Sequence, residues 1–200
     1  GCLRILFLSD THLGFDMPFH PRKELPHRGE DFFNNFEQAL LPAFQGEVDL
    51  VVHGGDLFFR TRVSPRLVDL VTAPLLRLAQ TGMPVYIVPG NHERSRMPLR
   101  LWFSHENIHI FEKPTTYLHP CGEITLALAG FPFIRKVRDE FMKCIQVTCF
   151  DEVRAEIERG GHCLAFHSYD HRIHRFWPLT NYYYRARRLL GSLHGGVGSE

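Results

Sequence analysis

The sequence predicts an α/β domain built on parallel strands, and three observations lead there. Short apolar runs at residues 3–9, 48–52 and 85–88 alternate with stretches of helical periodicity. The order strand, helix, strand, helix, strand is that of parallel strands joined by right-handed crossovers. Each run also breaks abruptly into polar residues, and open α/β sheets bind ligands outside the carboxyl ends of their strands.

The first run is followed by residues 15–30, "FDMPFHPRKELPHRGE", whose three prolines and many charges predict an exposed loop. From Asp31 onward Phe32, Phe36 and Leu40 recur at helical spacing, and Gly46 ends that helix. The second run, "VDLVV", leads into His53-Gly54-Gly55-Asp56. Ser64-Pro65 is a helix start, a capping hydroxyl followed by proline at the first helical position. Leu67, Val71, Leu75 and Leu78 mark one face of the next helix, Pro74 inside it is expected to kink or split it, and Gly82 closes it. The third run, "VYIV", leads into Pro89-Gly90-Asn91-His92. In the second half, residues 108–110, 124–131 and 163–166 read as strands and residues 135–158 as mostly helical. From Arg172 no period is visible, so residues 1–170 are expected to form the domain and 171–200 an irregular tail.

Composition narrows the classes. A chain of 200 residues that is 44% hydrophobic suits one globular core. A net charge of +1 supplies no strongly basic footprint, so charge neither demands nor excludes nucleic acid. The 13 histidines point to metal or proton chemistry. The five cysteines form no Cys-x-x-Cys pair, which argues against a disulfide framework or a zinc-thiolate site and for a cytoplasmic setting. No secretory signal or membrane-spanning stretch is visible, and a chain beginning at Gly1 without Met is expected of a fragment or a trimmed protein.

The polar ends of the strands carry the chemistry. Asp10 and His12 are two residues apart, which at an extended strand end points both side chains the same way. Asp56 follows two glycines and has room to bridge two ions. Asn91 offers an amide oxygen, His92 an acid or a ligand, and His167 ends the run "CLAF". Each motif taken singly is an ordinary turn or a buried histidine. Together, on one edge of one sheet, they form a mixed oxygen and nitrogen set suited to manganese, with iron or zinc as alternatives. Two ions about 3.5–4 Å apart could clamp the attacking and leaving oxygens of a phosphate ester.

In this order, "DTHLG", "GGDLFFRTRVS", "GNHE" and "AFH" resemble the motifs of the calcineurin-like metallophosphoesterase superfamily. "THLG" and the text after "GGDLF" are most similar to its DNA-repair exonuclease branch, the SbcD-type nucleases that partner a coiled-coil ATPase. The resemblance implies a four-layer α/β/β/α sandwich and two divalent metal ions. It implies that Asp10 and His12 hold the first ion, Asp56 bridges both, Asn91 and His167 hold the second, and His92 faces the scissile phosphate without being a ligand. It implies a phosphodiesterase acting on DNA, with a coiled-coil ATPase subunit and a second copy of the chain as further partners. The family's last motif, Gly-His-x-His, is missing: "HRIH" at 171–174 lacks the glycine and the spacing, and "SLHGG" holds only His194. The site is therefore expected either to use substitutes or to be incomplete at its C-terminal end, as in a non-catalytic remnant. A small or cyclic nucleotide is the alternative substrate. Arg60, Arg62 and Arg66, and then Arg94, Arg96 and Arg100, cluster around the motif loops, where they could meet a phosphate backbone or simply form a solvated face.

Overall fold

The computed structural model describes residues 3–15, 29–93, 97–121, 124–136, 139–140, 143–144 and 162–167. Two compact units divide the chain, Gly1–Glu112 and Lys113–Glu200.

The first unit is built as β1 (Ile5–Leu8), α1 (Gly29–Phe44), β2 (Leu50–His53), α2 (Pro65–Gln80), β3 (Val85–Ile87), the short helix α3 (Leu99–Trp102) and β4 (Ile108–Ile110). Its sheet is wholly parallel, in the order β1-β2-β3-β4. The expected alternation of strand and helix is therefore present, and β4 extends it. β2 and β3 are buried at every position, as parallel strands covered on both faces are. Phe36 and Leu40 of α1 and Val71, Leu75 and Leu78 of α2 are buried in one cluster with Val51, Val85 and Ile87, so the periodic apolar faces do pack as read.

Two boundaries differ from expectation. β1 stops at Leu8, before the polar motif begins, and α2 runs unbroken through Pro74. A proline removes one backbone donor, but Pro74 is buried in the core-facing stripe between Val71 and Leu75, and packing there outweighs the lost bond. The start of α2 is as read: Ser64 has an extended backbone and its hydroxyl accepts a hydrogen bond from Leu67 N at 3.3 Å, a cap worth about 1 kcal/mol. At the other end Gly82 takes a φ of 92° just after the last turn.

The second unit contains a separate sheet, β5 (Thr115–Cys121), β6 (Ile124–Phe131) and β7 (His162–His167), with β5–β6 antiparallel and β6–β7 parallel. The polar strand ends do not all share one sheet as expected: β7 belongs to this second one. β5 was not foreseen. It is an edge strand, the position in a sheet that tolerates a residue such as Pro120. Of the helix expected over 135–158, residues 139–140 and 143–144 are helical and most of the rest lies outside the described residues, as do residues 16–28 of the first loop and the tail from 168 onward.

Candidate metal centre

Beyond Leu8 and His53 the chain continues to pair although neither segment is a strand. Asp10 N donates to Gly55 O at 2.9 Å, His12 N to Asp56 O at 3.0 Å, Leu13 N to Leu57 O at 2.9 Å, and Phe59 N back to Leu13 O at 3.0 Å. These bonds lay the loop after β1 along the loop after β2. The pairing is achieved with left-handed backbone at Asp10 (φ 55°), His12 (φ 44°) and Asp56 (φ 52°), the only non-glycine residues with positive φ among the described residues. Each such residue costs about 1–2 kcal/mol, so the strain is concentrated at three titratable side chains. Asp10 and His12 therefore do not converge because a strand end alternates with a period of two, as the spacing suggested; a left-handed turn brings them together.

One side-chain atom from each of Asp10, His12 and Asp56 lies within 4.8 Å of the others. Asp56 is buried, while Asp10 and His12 are 40% and 26% exposed, so the group opens to solvent on one side. Asp10 Oδ2 accepts from Ser9 Oγ at 2.9 Å, leaving Oδ1 turned toward His12 Nε2 at 3.9 Å. The space beside Asp56 is kept clear by Gly90. A Cβ there would collide with the backbone nitrogen and Oδ1 of Asp56 and would lie 2.8 Å from Glu93 Oε2. Two carboxylates and an imidazole around such a cradle fit a divalent ion of the manganese, iron or zinc type.

Two residues that the sequence did not single out hold this arrangement. Glu93 is buried, and its carboxylate accepts from Asp56 N (3.1 Å), Phe58 N (2.8 Å) and Gly90 N (2.8 Å), which ties the loop after β2 to the loop after β3. Burial pushes its pKa up to about 7, and the nearby Asp56 charge adds to the rise, against the pull of the three N–H donors. His53, fully buried at the end of β2, links the first two loops. Gly55 N donates to its Nδ1 at 3.3 Å, so Nε2 carries the proton and donates to Thr11 Oγ1 at 3.0 Å; that hydroxyl in turn donates to Leu57 O at 3.2 Å. Burial lowers the His53 pKa to about 4, and the neighbouring Asp10 charge only partly offsets the fall. The chain of donors requires this neutral form. The signals for both were present, a histidine ending a continuous apolar run and an acid ending "GNHE", but neither reveals its partners, backbone amides for Glu93 and an amide and the distant Thr11 hydroxyl for His53.

The remaining expected residues are placed as follows. The His92 ring lies 5.5 Å from that of His12 at a steep angle, and His92 N donates to Asp56 Oδ1 at 3.3 Å. Asn91 is exposed in the same turn. His167 is the last residue of β7, in register with Phe131, and belongs to the second unit. Arg94 and Arg96, "HRIH" and His194 lie outside the described residues, and Arg100 pairs with Glu112 at 3.5 Å.

Two outcomes follow. Unfolded His53 takes up a proton below about 6.5 but folded His53 only near 4, so stability is lost as pH falls through that window, by on the order of 3 kcal/mol. Glu93, raised to about 7, contributes the opposite slope over much of the same window, so the His53 effect is read as the stability of the parent minus that of His53→Asn, by urea denaturation in EDTA from pH 7.5 to 4; that difference should shrink as pH falls. Glu93→Gln replaces one acceptor oxygen with an amide that faces a backbone N–H. It should cost about 1–3 kcal/mol and weaken manganese binding, read by thermal denaturation and calorimetry.

The sequence matches the calcineurin-like phosphoesterase family over residues 3–187. Among curated proteins it is 41% identical over 95 residues to the DNA double-strand break repair protein Mre11 of Haloferax volcanii, covering 46% of this chain and 20% of that one. It is 28% identical over 141 residues to Mre11 of Sulfurisphaera tokodaii, covering 68% of this chain and 35% of that one. The chain thus spans about a fifth to a third of the length of these relatives. A dimetal phosphatase from Danio rerio aligns in structure with a TM-score of 0.43 and 18% identity, over 64% of this chain and 43% of that one. With a match running through nearly the whole sequence and the motif loops side by side, the chain belongs to the calcineurin-like phosphoesterase family.

Proposed function

We propose that this chain is a metal-dependent phosphodiesterase of the DNA-repair nuclease type. The observation that carries the proposal is the convergence of Asp10, His12 and Asp56 from two paired loops, with His92 beside them. The relatives are DNA double-strand break repair proteins, which supports DNA as the substrate. The cytoplasm as the setting follows from the cysteine usage alone, and a coiled-coil ATPase subunit and a second copy of the chain as partners from the motif resemblance alone.

Two divalent ions, manganese first, would supply Lewis acidity and a hydroxide nucleophile near neutral pH. Asp10 and His12 would hold one ion, Asp56 would be shared, and Asn91 would be a ligand of the other. The chain's own work is orientation and proton handling. Paired backbone fixes the carboxylate of Asp56, and the His92 backbone amide fixes one of its oxygens. The His92 imidazole, 5.5 Å from the His12 ring, would stabilise charge on the scissile phosphate and deliver a proton to the leaving oxygen. Arg60 and Arg62, exposed on the same loop as Asp56, are suited to the flanking phosphates.

Asp56→Asn should abolish manganese-dependent cleavage of linear DNA, measured by release of acid-soluble nucleotides; an active variant removes Asp56 from the bridging role. His92→Gln should lower turnover by about 10²–10⁴-fold with unchanged metal content by elemental analysis. Loss of metal in that variant would make His92 a ligand. Two ions per parent chain support the complete site, whereas none would favour a remnant that keeps the fold without the chemistry.

A further inference from the structure

Beside the metal loops, a groove of about 400 Å³ runs between the loop after β2 and the start of α2. Its volume falls in the range of small-ligand sites. Leu13, Val63 and Leu67 supply an apolar lining, Phe59 contributes an aromatic ring, and Arg60, Arg62 and Arg66 contribute three cations, with no carboxylate among the described lining residues. The three arginines are exposed, and the guanidinium carbon of Arg60 lies 5.7 Å from the centre of the Phe59 ring. Phe59 also faces the metal loops, with its ring 6.1 Å from His12 and 6.5 Å from His92, and Phe15 meets it edge-on at 4.8 Å. One aromatic ring thus borders both the candidate metal centre and the groove.

We propose that this groove is a nucleobase subsite, in which Phe59 stacks one unpaired base of a DNA strand and Arg60, Arg62 and Arg66 hold the phosphates on either side of it. The inference rests on the DNA reading above and says where the strand leaves the reacting phosphate. Inorganic phosphate would need the arginines but not the apolar lining, and an apolar ligand would not need the arginines. An aromatic ring flanked by cations matches single-stranded nucleic acid, where every base offers a face and every linkage a charge. Stacking does not depend on which base is present, so the subsite supplies affinity and register without sequence preference.

The test is binding of a short labelled single-stranded DNA with cleavage-resistant phosphorothioate linkages to the manganese-loaded chain by fluorescence anisotropy over a series of salt concentrations. Phe59→Ala should weaken binding by about 5- to 100-fold, and Phe59→Trp should restore it. Arg62→Ala and Arg66→Ala should each reduce the slope of log affinity against log salt by about 0.7. Scanning an abasic position along the strand should find one place where the parent loses as much as Phe59→Ala does, and where Phe59→Ala loses nothing more. Phe59→Leu, which keeps the apolar bulk, should behave as the alanine variant does, which separates stacking from a folding defect. If the parent binds the DNA but the losses from the abasic position and the Phe59 variants simply add, or the variants bind as the parent does, the subsite is refuted alone. If the parent holds manganese and binds no DNA, the DNA reading fails and takes the subsite with it.

Discussion

Glu93 is a buried carboxylate with three backbone amides pointing at it, and the rest of the site is arranged around that fact. Two of those amides belong to the loop after β2 and one to the loop after β3. Among the described residues, no strand pairing joins these loops beyond the ends of β2 and β3. A carboxylate can accept from several donors at once, so a single side chain substitutes for a missing piece of sheet. Its burial strengthens each bond and also makes the group expensive to leave unpaired. Gly90 is the counterpart of that choice: the acid can come so close to Asp56 only because the residue between them has no side chain.

The loop after β1 is held differently. Among the described residues, no buried acid gathers its amides as Glu93 does for the other two; it lies against the second loop through alternating backbone bonds and through Thr11, whose hydroxyl stands between His53 and Leu57. His53 contributes as a neutral ring with one donor and one acceptor, and burial keeps it neutral. The cationic form would face a backbone N–H with a second donor. The centre therefore combines a histidine that stays uncharged for structural reasons with others, His12 and His92, that are partly open to solvent.

Much of this was legible in the sequence. The three motif-bearing strands, the helices between them and the Ser64 cap all follow from runs of four or five apolar residues, helical spacing and one capping hydroxyl. Asp10, His12 and Asp56 were identified because polar residues at strand ends stand out against an apolar background. Their convergence was expected for the wrong local reason, since left-handed backbone at Asp and His leaves no periodic trace. Pro74 misled because a local rule about proline ignores what its ring packs against. β5 was missed because a threonine pair, a proline and a histidine blur its alternation, and the division into two sheets was invisible because apolar runs do not say which neighbour they pair with. Glu93 escaped because its partners are main-chain groups, which every residue possesses and none advertises, and His53 because its partners are one such group and a threonine 42 residues away.

The left-handed conformation at three side chains also acts as a filter on inheritance. At positions 10, 12 and 56 the backbone admits glycine and asparagine readily and excludes valine, isoleucine and threonine almost entirely. A lineage that no longer needed the chemistry would find few silent routes out of it. Asparagine at position 10 or 56 would discard the charge while preserving the turn, so a sister chain with an extinguished centre should still carry the outline of the original loop.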